Sequence, residues 1–451
     1  LDHTSKFIAA VKQRAAAREL LHLCTADISK GYRRLFHRRQ DVAHLGLRVD
    51  CDFDGHIDYF DGVTVSKRAV KKGDVFYVMD RSLPFGLVTS VASFCAVTNM
   101  IRDLAQELAG PSVDICCYVD DFGCLGTPEN CQMGMNVLRN VLNVAGLPEN
   151  PLKMQVPSAV GEFLGVVYDF SDPDNVTASL PLAKRLRYIK HLRYYIGRAT
   201  VVDGQRSLSV TRKELQSIVG KLAYSSFVLS AGRPFYQRLL AVLRGRSTAK
   251  HIVLDGGCLD DMCWWVSVLT NHTGSVLLTP HEKVVKVFTD ASTTTGYGVY
   301  FKGQWFRGEW PEEVKVLLQD FTVDINALEL VTLNFCLETL GHELAGSTVH
   351  FRCDNLACVS NIHSMSSKRP IRAALLRRLY AVAAHWGITI RSSHIGTKLN
   401  VYADTLSRGQ LTEFFNLPHL FPLVQVQQQK LGAMALLTDP EGPQNPSTPD
   451  W

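Results

Sequence analysis

Two consecutive acids, Asp120 and Asp121, stand between short apolar runs in Cys116-Cys117-Tyr118-Val119-Asp120-Asp121-Phe122-Gly123-Cys124-Leu125. The apolar residues up to Val119 and from Phe122 to Leu125 predict two strands joined by a very tight turn, with the acids at its tip. A turn built only for folding favours Asn-Gly or Asp-Gly, because positive φ is needed there. Adjacent carboxylates repel each other, and a hard divalent cation bound by their oxygens relieves that repulsion. A solvated acidic turn is the alternative for so short a match. Asp27 lies near the exit of the apolar run His22 to Ile28, where an isolated buried charge is costly. Farther on, Asp290, Glu329, Asp354 and Asp404 fall at strand ends and on helices. Acids converging from different elements are what a two-metal site requires, although each one alone reads equally as a cap, a turn or a surface charge.

The elements that must position these acids follow from periodicity. Residues 5 to 22 are rich in Ala, Leu and Arg and predict an opening helix. His22 to Ile28 reads as a strand, and residues 42 to 79 alternate strand-like with turn-like pieces. Pro84 and Gly86 break the chain before a long apolar helix from about Ser90 to Leu108. Pro181 to Ala199 is a helix with a Leu/Ile/Tyr face and a cationic face. Thr211 and Glu214 have capping-box spacing and open a helix toward Leu229. Tyr194, Tyr195 and Tyr224, at helical spacing, are assigned to the core. A Gly-containing connector with an apolar helical patch at Met262 to Leu269 comes next. Val284 to Thr289 then reads as a strand ending on Asp290, followed by a hairpin turning at Lys302-Gly303. Ile325 to Leu340 is a helix carrying Glu329, and Thr348 to Cys353 a strand ending at Asp354. Pro370 to Trp386 is a helix stopped by Gly387. The strand Ile388 to Arg391 leads to a loop with His394 and a helix around Asp404. Short helices are expected between Leu411 and Leu437, and disorder from Thr438 to Trp451.

With 451 residues, 46% apolar and 20% charged, the chain is globular and long enough for about two to four domains. No apolar run approaches the roughly 18 residues of a membrane span. The first residue, Leu1, leads to the expectation of a piece of a larger polyprotein. The 12 cysteines include no C-x-x-C pair and read as buried free thiols in a reducing, intracellular compartment, cytoplasm or nucleus. The net charge of +5 hides an asymmetry, because the stretch from Lys184 to Lys250 carries 15 Lys and Arg against only Asp203 and Glu214. Such a block is an electrostatic footprint for a polyanion, with a solvated basic face as the alternative.

Thr25-Ala26-Asp27-Ile28-Ser29-Lys30-Gly31-Tyr32, Leu83-Pro84-Phe85-Gly86-Leu87 and Tyr118-Val119-Asp120-Asp121 resemble, in that order, motifs A, B and C of a reverse transcriptase palm. Asn150-Pro151-Leu152-Lys153 looks like the motif D lysine region, Glu162-Phe163-Leu164-Gly165-Val166-Val167-Tyr168 like the primer-grip hairpin, and the basic helices like a thumb. Thr289-Asp290-Ala291-Ser292, Ile325-Asn326-Ala327-Leu328-Glu329-Leu330, Cys353-Asp354-Asn355 and the run from His394 through Asn400 to Tyr402-Ala403-Asp404-Thr405-Leu406-Ser407-Arg408 resemble the four-carboxylate site of ribonuclease H. The strings look most like tyrosine-recombinase retrotransposons of the DIRS type or their trypanosomatid relatives, with a Ty3-like or pararetroviral enzyme as runner-up.

The resemblance implies an α+β polymerase right hand, with an antiparallel palm sheet, a helical thumb and truncated fingers, followed by an α/β ribonuclease H-like domain with a mixed sheet. It divides the chain into palm with partial fingers (1–168), thumb (169–254), connector (255–282), ribonuclease H domain (283–409) and a partly disordered tail (410–451). The implied activities are RNA- and DNA-templated DNA synthesis and cleavage of RNA in RNA/DNA hybrids, each with two Mg2+ or Mn2+ ions. Asp27, Asp120 and Asp121 would hold metal at one site, and Asp290, Glu329, Asp354 and Asp404 at the other, with His394 aiding proton transfer or product release. Tyr32 would be the steric gate against a ribose 2′-hydroxyl. Phe85, Gly86 and Tyr118 would line the nucleotide and template site, and Lys153 would be a general acid toward pyrophosphate. The implied partners are RNA template, DNA primer, RNA/DNA hybrid, deoxynucleoside triphosphates and other retroelement proteins, with no membrane. Two departures qualify this pattern: only 26 residues precede Asp27, and Thr397 stands where related elements commonly have Gly. A noncatalytic nucleic-acid-binding remnant, or a chain with ribonuclease H activity alone, are the competing readings.

Overall fold

The strand His22–Asp27 is an inner strand of the main sheet in the first of two compact units, Leu1–Val176 and Thr177–Trp451. The computed structural model describes residues 4–35, 46–60, 64–79, 82–83, 88–151, 153, 155–202, 204–245, 250–271, 275–279, 283–320, 322–428 and 433–438. Phe85 and Gly86, expected to touch nucleotide or template, lie outside the described residues, as does the expected disordered tail after Thr438.

The first unit is built on an antiparallel four-stranded sheet in the order Val113–Tyr118, Asp121–Gly126, His22–Asp27, Gln155–Ser158. The helices Val88–Ala109 and Pro128–Val144 pack on it, and Phe94, Ile101, Ala105, Leu138 and Leu142 meet Ile115 and Phe122 in a single core. Proline at the first position of the second helix and the Thr127 hydroxyl, which accepts from the Asn130 backbone N–H, begin that helix. Close packing demands glycine in places: a Cβ at Gly134 would lie 2.9 Å from Val113, and one at Gly123 3.0 Å from the Phe163 ring. The hairpin Val160–Phe163 to Val166–Asp169 turns on Leu164 and Gly165, both with positive φ (50° and 71°), as a two-residue turn matched to strand twist requires. Between the first and second motifs, strands Gly46–Asp50 and Val75–Met79 pair antiparallel, and Gly55–Phe60 with Val65–Val70 lies nested between them in sequence.

In the second unit the basic block is less helical than expected. Helices Leu182–Ile196, Arg212–Ser225 and Pro234–Arg244 alternate with strands Thr200–Val202, Gln205–Thr211 and His251–Leu254, which form a three-stranded antiparallel sheet. The overlooked signal is the alternation in Ser207-Leu208-Ser209-Val210, with Leu208 and Val210 buried. The capping box at Thr211 and Glu214 is present in both directions. Of the tyrosines assigned to the core, Tyr195 is buried (5% exposed), whereas Tyr194 is 60% exposed. The connector is a helix, Gly256–Asn271, with Trp265 fully buried and Trp264 stacked on Phe235.

The remaining strands form a mixed six-stranded sheet in the order Thr389–His394, Thr348–Cys353, Val284–Ala291, Gly296–Phe301, Gln304–Glu309, Val424–Gln425. The first three are parallel, the next two antiparallel, and the last parallel to its neighbour. The helices Ile325–Leu344, Leu356–Ser364 and Pro370–His385 contribute to the core on one face, with Val285, Val287, Val349 and Phe351. Val401–Ser407 and Leu411–Asn416 contribute Leu406 and Phe414 to a smaller cluster with Phe288, Tyr300 and Trp305 on the other. A Cβ at Gly298 would lie 2.5 Å from Leu406, so this glycine seats the first of those short helices. The C-terminal segment joins the same body, since Val424–Gln425 extends the sheet and Leu436 and Leu437 enter the main core.

Candidate metal centres

The first acidic centre is made where two strands end side by side. Asp27 stands directly opposite Asp121 on adjacent antiparallel strands, a placement in which like charges destabilise. The strand Val113–Tyr118 stops at Tyr118, which pairs with Asp121, so the two-residue loop is Val119-Asp120 and not the pair of acids. Val119 adopts φ 60°, a left-handed conformation that costs a β-branched residue roughly 1–3 kcal/mol. The loop is tied down by the Ile28 N–H, which donates to the Asp120 carbonyl at 3.3 Å.

Carboxylate oxygens of Asp27, Asp120 and Asp121 lie within 4.8 Å of one another. Burial raises the Asp120 pKa, and burial followed by the charges of Asp120 and Asp27 pushes Asp121 up to about 6. Lys153 is the counter-charge, with its Nζ 3.1 Å from Asp27 Oδ2, and that hydrogen bond raises its own pKa. Tyr118 is half-buried beside them. Tyr32 stacks on Phe94 with ring centroids 4.5 Å apart, and a Cβ at the preceding Gly31 would come within 2.5 Å of the Phe94 ring. Burial, then Cys95 and Asp120, raises the Tyr32 pKa, which places its hydroxyl in the field of this centre.

The second centre gathers acids from four elements. Asp290 belongs to the central strand, Asp354 follows the neighbouring strand, Glu329 projects from the helix Ile325–Leu344, and Asp404 lies on Val401–Ser407. Glu329, only 2% exposed, sits on a helix buried on every side from Ala327 to Leu337, and burial pushes its pKa well up. Burial likewise raises Asp290 to about 7, opposed by the Ser407 hydrogen bond and reinforced by Asp354 and Asp404. The tightest group of ligand atoms is not the four acids but Glu329, Cys353 and Asp354, mutually within 4.8 Å. The Cys353 thiol donates to Glu329 Oε2 at 3.6 Å, and its raised pKa keeps it a donor. Asp404 accepts from Arg408 one turn on at 2.8 Å.

Neighbours of these acids were not singled out by residue type. Ser407, fully buried, donates from Oγ to Asp290 Oδ2. Its spacing, three residues beyond Asp404 on one helix face, was the available signal. Thr397 donates to Asp354 Oδ2 at 2.8 Å, and His394 Nε2 lies 3.1 Å from the Asp354 carbonyl oxygen. His394 is not in a loop as expected but ends the strand Thr389–His394, where it pairs with Cys353, and the turn after it is docked on Asp354. Asn400, fully buried, donates to the Thr289 carbonyl beside Asp290 at 3.0 Å.

No family model matches the chain, and no curated protein matches it. Among solved structures, similarity is found to a foamy viral protease-reverse transcriptase in complex with double-stranded DNA (16% identity, TM-score 0.41, covering 82% of this chain and 56% of that one). A second such complex with double-stranded DNA has 17% identity and TM-score 0.39, over 82% of this chain and 67% of that one. A third, with an RNA/DNA hybrid, has 17% identity and TM-score 0.38, over 92% of this chain and 46% of that one. The chain thus spans about half the length of the first of these, and what it does must be argued from its own two centres.

Proposed function

We propose that this chain is a bifunctional retroelement enzyme, a DNA polymerase copying RNA or DNA joined to a ribonuclease H that cuts RNA in hybrids. The observation that supports it is the occurrence, in one chain, of two separate carboxylate centres, in which burial first and neighbouring carboxylates second raise the pKa of Asp121 and of Asp290. Both donor sets fit Mg2+ or Mn2+, because hard carboxylate oxygens suit those ions and the crowded negative charge favours binding one. Such ions, two at each centre, would supply Lewis acidity toward phosphoryl oxygens and a lowered pKa for the attacking hydroxyl or water.

At the first centre Asp27 and Asp120 hold the metal, with Asp121 in support. Tyr32, fixed on Phe94, excludes a ribose 2′-hydroxyl and so selects deoxynucleotides. Lys153, 63% exposed and paired with Asp27 Oδ2, would donate a proton to leaving pyrophosphate. Phe85, Gly86 and Tyr118 complete the nucleotide and template site. At the second centre Asp290, Glu329, Asp354 and Asp404 are the ligands, Ser407 and Thr397 orient two of them, and His394 handles a proton or the departing product. Arg187, Lys190 and Arg193, exposed on the helix Leu182–Ile196, track duplex phosphates. The divisions are palm to residue 168, thumb to 254, connector to 282 and nuclease to 409, with the described parts of the tail beyond it packed into the same body as the nuclease sheet. A DIRS-type element is the assigned source, and a reducing compartment, cytoplasm or nucleus, fits twelve free cysteines of which all but Cys263 are buried. Among the described residues no helix is long and apolar enough to cross a membrane.

Primer extension dependent on Mg2+ or Mn2+ should fall on the order of 100-fold or more in Asp120→Asn while hybrid cleavage persists. Asp290→Asn should do the reverse. Extension surviving the first substitution removes the polymerase assignment, and cleavage surviving the second removes the nuclease assignment.

A further inference from the structure

The mixed sheet is covered unevenly on the face that bears Asp290. Val401–Ser407 and Leu411–Asn416 sit over Gly298, Tyr300 and Trp305. Toward the other edge, Lys286, His350 and Arg391 are directly paired across three adjacent parallel strands. The next row on that face is Phe288, Arg352 and Ser393. Residues two apart on a strand share a face, so Lys286, Phe288 and Asp290 line up, as do His350, Arg352 and Asp354. Lys286 and Arg391 are exposed, and His350 and Arg352 are half-buried.

Lys286 and Arg391 flank His350, whose protonated form is disfavoured, and Arg352 stands one row on; like charges this close weaken a sheet, and nothing within the described chain neutralises these three. Among the described residues, Lys286, Arg352 and Arg391 have no carboxylate partner. The Ser393 hydroxyl accepts from Arg352 Nη1 at 2.8 Å and lies 2.7 Å from His350 Nε2, a neutral link between two basic groups. Burial holds the His350 pKa down, followed by Arg352, Arg391 and Lys286, and no acid opposes them. His350 and Arg391 also line a cavity of about 390 Å³ at the edge strand, with His363 beside them.

We propose that this open face is a phosphate track, binding the backbone of a nucleic-acid strand that continues past the second metal centre. Its cations stand on strands about 4.8 Å apart, and Lys286 is four residues, or about 13 Å, from Asp290 along one strand of the same face. A strand gripped there is therefore continuous with one entering the carboxylate centre. The inference deepens the nuclease reading and takes its biological meaning from it, while the binding of a polyanion to this face is testable separately.

The test compares the parent chain with Lys286→Gln/Arg391→Gln and with the charge-keeping Lys286→Arg/Arg391→Lys. Binding of a fluorescent RNA/DNA hybrid is followed by anisotropy over a salt series. Removing two phosphate contacts should lower the slope of log affinity against log salt by about 1.8, with an affinity loss of roughly tenfold at moderate salt, and the charge-keeping pair should retain the parent slope. An unchanged slope in the Gln pair, or a parent that does not bind the hybrid, overturns the proposal. So does a Gln pair that loses affinity for polyglutamate but not for the hybrid, since the face would then serve an acidic protein. In the same series Asp290→Asn should keep the parent slope and lose cleavage. If it still cleaves, the nuclease reading fails while the phosphate track stands.

Discussion

At the scale of single residues, both centres hold carboxyls whose protonation is coupled to folding. Asp121 sits at about 6 and Asp290 at about 7, above the ordinary carboxyl value of about 3.9. An acid whose pKa is raised in the folded state binds its proton more tightly there than when unfolded, so its contribution to stability is lost as pH rises from the unfolded value through the folded one. Without divalent ions, the melting temperature should therefore decline between about pH 4 and about pH 7, and Asp290→Asn should flatten that decline. Mg2+ should raise the melting temperature more near neutral pH than near pH 5, because it binds the ionised form. Thermal unfolding with and without Mg2+ measures both, and equal stabilisation at the two pH values would contradict the account. Ser407 belongs to the same scale, since its hydroxyl reaches Asp290 Oδ2 and also lies 2.9 Å from the Asp404 carbonyl oxygen. Ser407→Ala should reduce cleavage or metal affinity about 10–100-fold, read from a Mg2+ titration of activity. The loss should be smaller at saturating Mg2+.

At the scale of elements, strand ends and tight turns decide where the acids point. The register that sets Asp27 against Asp121 and Tyr118 against Asp121 leaves only Val119 and Asp120 to reverse the chain. The strained backbone of Val119 is the local consequence. Gly31 is a second pressure point, because Tyr32 can lie on Phe94 only if the residue before it has no side chain. Gly31→Ala should cost about 1–3 kcal/mol by overpacking, measured by chemical denaturation. It should also weaken discrimination between deoxy- and ribonucleoside triphosphates in extension assays. A variant as stable and as selective as the parent would show that the Tyr32 ring is not held by this contact.

At the scale of the molecule, the second unit is tied together by a buried charge. Asp261, fully buried on the helix Gly256–Asn271, lies 3.7 Å from Arg238 Nε of the basic block and 3.6 Å from Arg377 Nε of the helix Pro370–His385. Breaking a buried ion pair from one side strands its partners, so Asp261→Ala should cost about 3–5 kcal/mol. Calorimetry would register this as a lower transition for basic block and mixed sheet together. A transition of the basic block alone would mean that the two do not share a core.

How much of this could be read from residue order varies with the range of the interaction. The sequence alone determined what is local: the apolar runs around the acids, the Thr211–Glu214 capping box, the Lys302-Gly303 turn and the start of the helix carrying Glu329, which runs one turn past its expected end at Leu340. The carboxyls Asp27, Asp120 and Asp121 could be named because the apolar stretches beside them have strand periodicity. Tertiary structure alone decided which atoms meet. Ser407 reaches Asp290 across 117 positions, Thr397 reaches Asp354 across 43, and Cys353 comes between Glu329 and Asp354. It also decided that Lys286, His350 and Arg391 form one row, since strand register is set by long-range pairing. Tyr194 and Tyr195 state the same limit most simply: adjacent and chemically identical, one is exposed and the other buried because successive residues on a helix face directions about 100° apart. Periodicity says that a helix has two faces, but only the neighbours it packs against fix which is inside.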